Sequence, residues 1–126
     1  MQLKIGDPLD EAVDIGALIN QKQYSRVLGF IKEGLNHPSS RLICGGLPPD
    51  TKEMNKGYFT LPTIFANTSN NWRLAKEEIF GPVLTAVSWK DEEEVIKMAN
   101  DSHYGLAGYI WTRDITCLLY TSPSPR

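Results

Sequence analysis

The side chains in this sequence with the chemistry to attack or hold a substrate are its two cysteines, its two histidines and the acidic pair Glu77-Glu78. A thiol becomes a nucleophile when it is partly exposed and a nearby cation or base favours the thiolate. Cys44 closes the apolar run Arg-Leu-Ile-Cys, a setting that predicts a small buried hydrophobe. Cys117 lies in a Ser- and Pro-rich tail, and neither cysteine is expected to be catalytic. His37 and His103 have no Cys or Asp at ligand spacing, so no metal site is expected. A glutamate offers two oxygens and about four hydrogen-bond acceptor sites. Taken alone, though, Glu77-Glu78 reads as solvated surface charge. No Gly-rich dinucleotide fingerprint is present.

Composition bounds what these groups can serve. With 126 residues, 41% hydrophobic and 22% charged, the chain is the size of one ordinary folded domain. A net charge of −2 argues against nucleic acid or an anionic membrane surface as partner. No apolar run approaches the roughly 20 residues of a membrane span, and the first residues lack the apolar segment of a signal peptide. Two cysteines make no disulfide framework, so a reducing compartment, the cytoplasm, is expected. A mitochondrial or plastid leader would lie upstream of this start.

The elements that must position any site begin after a turn-rich surface segment, Gly6-Asp7-Pro8-Leu9-Asp10. Tyr24, Val27, Leu28, Ile31 and Leu35 form a stripe at helical spacing. Asn20 can cap this helix, Gln23 can complete a capping box, and Ile19 with Tyr24 sits at staple spacing. Gly34 and Pro38 mark its end. Residues 41–44 read as a strand stopped by Gly45-Gly46, and residues 47–57 as an exposed loop. Residues 58–65 read as a strand that Pro62 makes an edge, short or bulged. Residues 67–72 form a polar turn, and residues 83–89 a strand apolar on both faces, as if covered on both sides. Asp91 and Glu94 open a second helix whose buried face is Val95, Ile96 and Ala99, and residues 106–111 form a further strand. Strand, helix, strand is a βαβ unit, so the expected class is α/β with a mostly parallel sheet. After Asp114 the pattern stops, and Ser122-Pro123-Ser124-Pro125 cannot continue a helix. The expected organisation is a domain over residues 1–114 and an aberrant tail over residues 115–126.

Three stretches together resemble the aldehyde dehydrogenase superfamily. They are Gly6-Asp7-Pro8-Leu9-Asp10 with Asp14-Ile15-Gly16; Lys76-Glu77-Glu78-Ile79-Phe80-Gly81-Pro82-Val83; and Ala99-Asn100-Asp101-Ser102 with Tyr104-Gly105-Leu106-Ala107 and Trp111-Thr112-Arg113-Asp114. The middle run is the most specific, and the general look is of the betaine-aldehyde and broad-specificity branches. The resemblance implies part of the catalytic domain of an enzyme that oxidises an aldehyde to a carboxylic acid with NAD or NADP. It gives Glu78 the role of accepting the two hydroxyls of the nicotinamide-side ribose. It places Phe80 near the nicotinamide end of the cofactor, and Gln23 and Arg26 beside its ribose and phosphates. It also implies a homo-oligomer, dimer or tetramer, for the full-length parent.

The same resemblance implies what is missing. The family's nucleophilic cysteine lies in a Gly-Gln-x-Cys context upstream of the Gly6-Asp7-Pro8 segment, and that context is absent here. The general base and the oxyanion-stabilising asparagine also map to no residue of this chain. The expectation is a piece of an oxidoreductase that is inactive alone. The alternative is a non-catalytic α/β module that keeps the scaffold as a binding or assembly surface.

Overall fold

The structure, a computed structural model, describes residues 3–113. Its principal helix, α1 (Gln21–Asn36), begins where the Asn20 side chain accepts the Gln23 N–H at 2.8 Å. That bond satisfies one of the first-turn donors a helix otherwise leaves orphaned. The helix stops at Asn36 because His37 precedes Pro38, and the residue before a proline is pushed out of the helical region. Gly34 is therefore not the terminator the sequence suggested. It sits inside α1, where an added Cβ would stand 2.7 Å from the Phe65 ring. The buried face is Val27, Phe30, Ile31 and Gly34, spaced i, i+3, i+4, i+7. This face is rotated from the expected stripe: Leu35 is exposed, and Ile19, expected to staple the helix start, is 87% exposed.

Strands β1 (Arg41–Cys44), β2 (Thr63–Ala66) and β3 (Val83–Thr85) form a sheet in the order β1-β2-β3. β1 pairs antiparallel with β2, and β2 pairs parallel with β3. The sheet is mixed, which corrects the expectation of a mostly parallel one. The strand expected over residues 58–65 begins only at Thr63, because Pro62 has no N–H to give a ladder. It is short as expected, yet it is the central strand and not an edge. The irregularity falls instead in β1, between Leu42 and Cys44. Gly45 follows at φ 80, where a Cβ would collide with the Pro62 carbonyl oxygen. Cys44 is exposed rather than buried. β3 ends at Thr85, and Leu84 is 55% exposed, so this strand is not covered on both faces.

A parallel pair needs a crossover of a dozen or more residues. Here residues 67–82 supply it and contain the short helix α2 (Arg73–Lys76). The β-α-β connection thus lies upstream of where the sequence suggested it. The core between α1, the sheet and this crossover is Val27, Phe30, Ile31, Phe65, Leu74 and Ile79.

The described residues up to Ser88 form one compact unit, and a second starts at Trp89. In the second, α3 (Glu92–Asn100) is capped by Asp91, which accepts the Glu94 N–H at 2.8 Å. The Glu94 carboxylate accepts the Lys90 N–H at 2.7 Å, one residue before the cap position. No residue of α3 is buried, and Ile96 and Ala99, expected on an inner face, are exposed. Residues 106–111 carry no strand ladder, so the βαβ unit expected around α3 is not formed among the described residues. The proposed boundary after Asp114 lies outside the described residues.

Candidate functional site

The crossover from β2 to β3 ends in the loop Glu77 to Pro82, which lies against α1, and the structure gathers Gln23, Arg26, Glu78 and Phe80 around it. Several anchors fix its backbone. Ile79 is buried in the core, with 8% of its surface exposed. The Gln23 amide, Nε2, donates to the Ile79 carbonyl at 2.7 Å and to the Phe80 carbonyl at 2.8 Å. An Arg26 guanidinium N–H donates to the Glu78 carbonyl at 3.0 Å. Gly81 passes so close to α1 that a Cβ would stand 2.6 Å from a Val27 methyl. The Thr63 N–H donates to the Pro82 carbonyl at 2.8 Å, which joins the loop end to the sheet.

Phe80 adopts φ 55. The left-handed region costs an L-residue with a Cβ about 1–2 kcal/mol, so the surrounding anchors must over-determine it. Its ring faces outward, 74% exposed.

The two neighbouring carboxylates differ sharply. Glu77 is tied into a cluster, at 3.4 Å from Arg26 and 3.5 Å from Arg73. Arg73 also holds Glu33 at 2.6 Å. Its guanidinium lies over the Phe30 ring at 4.1 Å, and that of Arg26 at 5.1 Å. The hydrogen bond that Arg73 donates to Glu33 raises the Arg73 pKa above its ordinary value and outweighs the small loss of hydration. Among the described residues, no side chain pairs with the Glu78 carboxylate, which is exposed. Everything around Glu78 is held, while its own acceptor oxygens are left available.

Reading the sequence placed Gln23 and Arg26 next to a cofactor; the structure shows both engaged with the loop itself. It missed Glu33, Arg73 and Phe30 altogether. Arg73 and Glu77 stand four apart across α2, a spacing that signals an ion pair; nothing local marks Glu33, forty residues away. An open cleft of about 500 Å³ lies elsewhere in the same unit, between Gly6-Asp7-Pro8 and the 3₁₀ turn Met54–Lys56. None of the four candidate residues lines it. Among the described residues no group of three His, Cys, Asp or Glu is placed to hold a metal, and no helix is long and apolar enough to cross a membrane.

The chain is similar in sequence and in fold to known proteins. The chain is 45% identical over 114 residues to the betaine aldehyde dehydrogenase of Brucella anthropi, covering 90% of this chain and 23% of that protein. It is similar in structure to an aldehyde dehydrogenase of Mycobacterium tuberculosis complexed with NAD+, with a TM-score of 0.85 and 44% identity over 94% of this chain and 24% of that one. A betaine aldehyde dehydrogenase of Staphylococcus aureus in complex with NAD+ gives a TM-score of 0.85 at 31% identity, over 94% of this chain and 24% of that one. The chain thus spans about a quarter of the length of the relatives it matches. The model of the aldehyde dehydrogenase family matches residues 1–124. On that match the chain belongs to the aldehyde dehydrogenase family.

Proposed function

We propose that this chain is the cofactor-positioning part of the catalytic domain of an NAD(P)-dependent aldehyde dehydrogenase, with Glu78 holding the nicotinamide-side ribose. The observation that carries the reading is the contrast within the loop. Its backbone is fixed by Gln23, Arg26, Ile79 and Gly81, while the Glu78 carboxylate and the Phe80 ring project free. The donor set fits the group. A carboxylate with unspent acceptors can take both hydroxyls of a vicinal diol, and charge-assisted hydrogen bonds are the stronger kind. An exposed aromatic face next to it suits a flat heteroaromatic ring. Relatives of this chain have been seen in complex with NAD+, which supports the same reading.

The bound nicotinamide supplies the hydride acceptor that the oxidation of an aldehyde to a carboxylic acid requires. The work of this chain is orientation: a ring held in one pose converts an improbable encounter into a prepared one. The thiolate nucleophile, general base and oxyanion donor used in the family have no counterpart among these residues. Cys44 sits on the edge strand β1, away from the loop in sequence and in sheet position. The parent enzyme is read as a cytoplasmic homo-oligomer. Residues 115–126 are read as an aberrant end of the chain, against a family match that runs to residue 124; sequencing the source DNA across residue 114 tests this.

Two measurements test the proposal. The 126-residue chain should form no NADH from an aldehyde; clear turnover that Cys44→Ser abolishes would overturn the assignment. In a full-length enzyme built around this chain, Glu78→Gln should slow hydride transfer in single turnover by about 10- to 100-fold, because charged hydrogen bonds of about 1.5–3 kcal/mol are weakened. The protein should remain folded, since Glu78 is exposed and holds no core contact. Unchanged single-turnover rates would remove Glu78 from the site.

A further inference from the structure

Phe80 is one of two described non-glycine residues with positive φ, and it lies between the two carbonyls that Gln23 grips. In extended chain, successive carbonyls point to opposite sides. A left-handed turn at Phe80 brings the Ile79 and Phe80 carbonyls to the same side, where one amide group with two N–H donors can meet both. The match is specific to the residue type. A glutamate would present only acceptors to two acceptors, and a lysine would present a charge without the planar pair of N–H bonds. The grip is also partly sheltered: the bond to Ile79 is part-buried, beneath a loop whose next residue, Gly81, touches Val27.

From this geometry we infer that Gln23 is a positioning residue, whose two hydrogen bonds hold Phe80 in the left-handed conformation and so set the pose of Glu78 and the Phe80 ring. Gln23 acts across 56 and 57 residues of sequence. It contacts the loop and not the reacting atoms. Arg26 assists from the next turn of α1 by fixing the Glu78 carbonyl, but it shares its charge with Glu77. The Gln23 amide donates to nothing else among the described residues. Without it, the Phe80 backbone relaxes to negative φ, the ring swings from its outward position, and the Glu78 carboxylate loses its fixed direction. The functional consequence rests on the reading that Glu78 and Phe80 meet the nicotinamide ribonucleotide; the clamp itself does not.

The experiment separates the two. In the labelled 126-residue chain, NMR should show through-hydrogen-bond couplings from the Gln23 side-chain nitrogen to the carbonyl carbons of Ile79 and Phe80. Phe80 should show the strong intraresidue amide-to-Hα contact of positive φ. Gln23→Met keeps the length and removes the donors; it should abolish the Phe80 signature and leave the α1 signals in place. A Gln23→Met variant that keeps positive φ at Phe80, or a parent chain without the couplings, overturns the clamp. Should Gln23→Met fold poorly, Gln23→Glu gives the same loss with the shape conserved. Adding Phe80→Gly should then restore the Ile79 and Gly81 shifts, since glycine takes positive φ without strain. In the full-length enzyme, Gln23→Met should raise KM for NAD by about tenfold and leave KM for aldehyde within about twofold. A purely structural residue would lower the yield of active enzyme and leave both constants where they were. If Glu78→Gln is silent while Gln23→Met still releases Phe80, the cofactor reading fails and the clamp stands.

Discussion

Helices α1 and α3 start in the same way. Asn20 accepts the Gln23 N–H and Asp91 accepts the Glu94 N–H, each at 2.8 Å, and each helix carries apolar residues at helical spacing. Their fates differ. α1 buries Val27, Phe30, Ile31 and Gly34 against the sheet, whereas α3, nine residues long, buries nothing. Capping and periodicity are local instructions, and both helices obey them. What holds a helix in a protein is the surface it packs on, because short helices alone are marginal in water. The difference bears on function. α1 is rigid enough to carry Gln23 and Arg26 to a loop more than fifty residues away, and the second unit supplies no comparable platform.

The comparison breaks most easily at Phe30. That side chain is 1% exposed and lies in contact with two guanidiniums, so Phe30→Ala should destabilise the first unit by about 3–5 kcal/mol. Ile96, 40% exposed on α3, should tolerate the same truncation within about 0.5 kcal/mol. Urea unfolding followed at α1 amide signals would measure both. Equal costs would mean that α3 has a packing partner in solution and that the contrast is false.

Gly34 sharpens the contrast at the level of a single methyl group. Alanine is the better helix former by about 1 kcal/mol, so on local grounds Gly34→Ala should stabilise α1. The Phe65 ring, with three carbons within 2.9 Å of the added Cβ, reverses the sign. Overpacking of this kind costs about 1–3 kcal/mol, and Phe65 is too deeply buried to step aside. Thermal unfolding should show a lower midpoint for Gly34→Ala; a higher one would show that the helix is not pressed on the sheet as described.

Gly34 also shows where sequence reading stopped. The caps at Asn20 and Asp91, the strand Arg41–Cys44 and the start of β3 at Val83 were legible because each depends on a few neighbouring residues. The inner face of α1 was not. A hydrophobic stripe ranks Leu35 above Gly34, but the strand opposite is close enough to select the residue with no side chain. Residues 106–111 have the composition of a strand, yet strand formation needs a partner, and in the described chain Leu106, Tyr109 and Trp111 are each at least 90% exposed. The mixed sheet was missed for a related reason: Pro62 shortened β2 without removing it from the centre. Of the site, the loop was legible through its Lys76 to Val83 run. The engagement of Gln23 with that loop was not, because a contact spanning 56 residues leaves no local signature.

The smallest effect concerns the ion cluster that ties α1 to α2. Arg73 reaches Glu33 at 2.6 Å and Glu77 at 3.5 Å, with its side chain 48% exposed and both carboxylates 38% exposed. Exposed ion pairs contribute about 0.2–1 kcal/mol, so Glu33→Gln should lower stability by no more than that. The cost should shrink as salt rises from low to about 1 M, where the screening length falls to about 3 Å. Arg73 also stacks on Phe30, and that contact does not need Glu33 to be charged. A salt-insensitive loss well above 1 kcal/mol would therefore show that Glu33 acts by holding the guanidinium over the ring. In that case the cluster would belong to the packed platform beneath the loop, and the advantage of α1 over α3 would be partly electrostatic in origin.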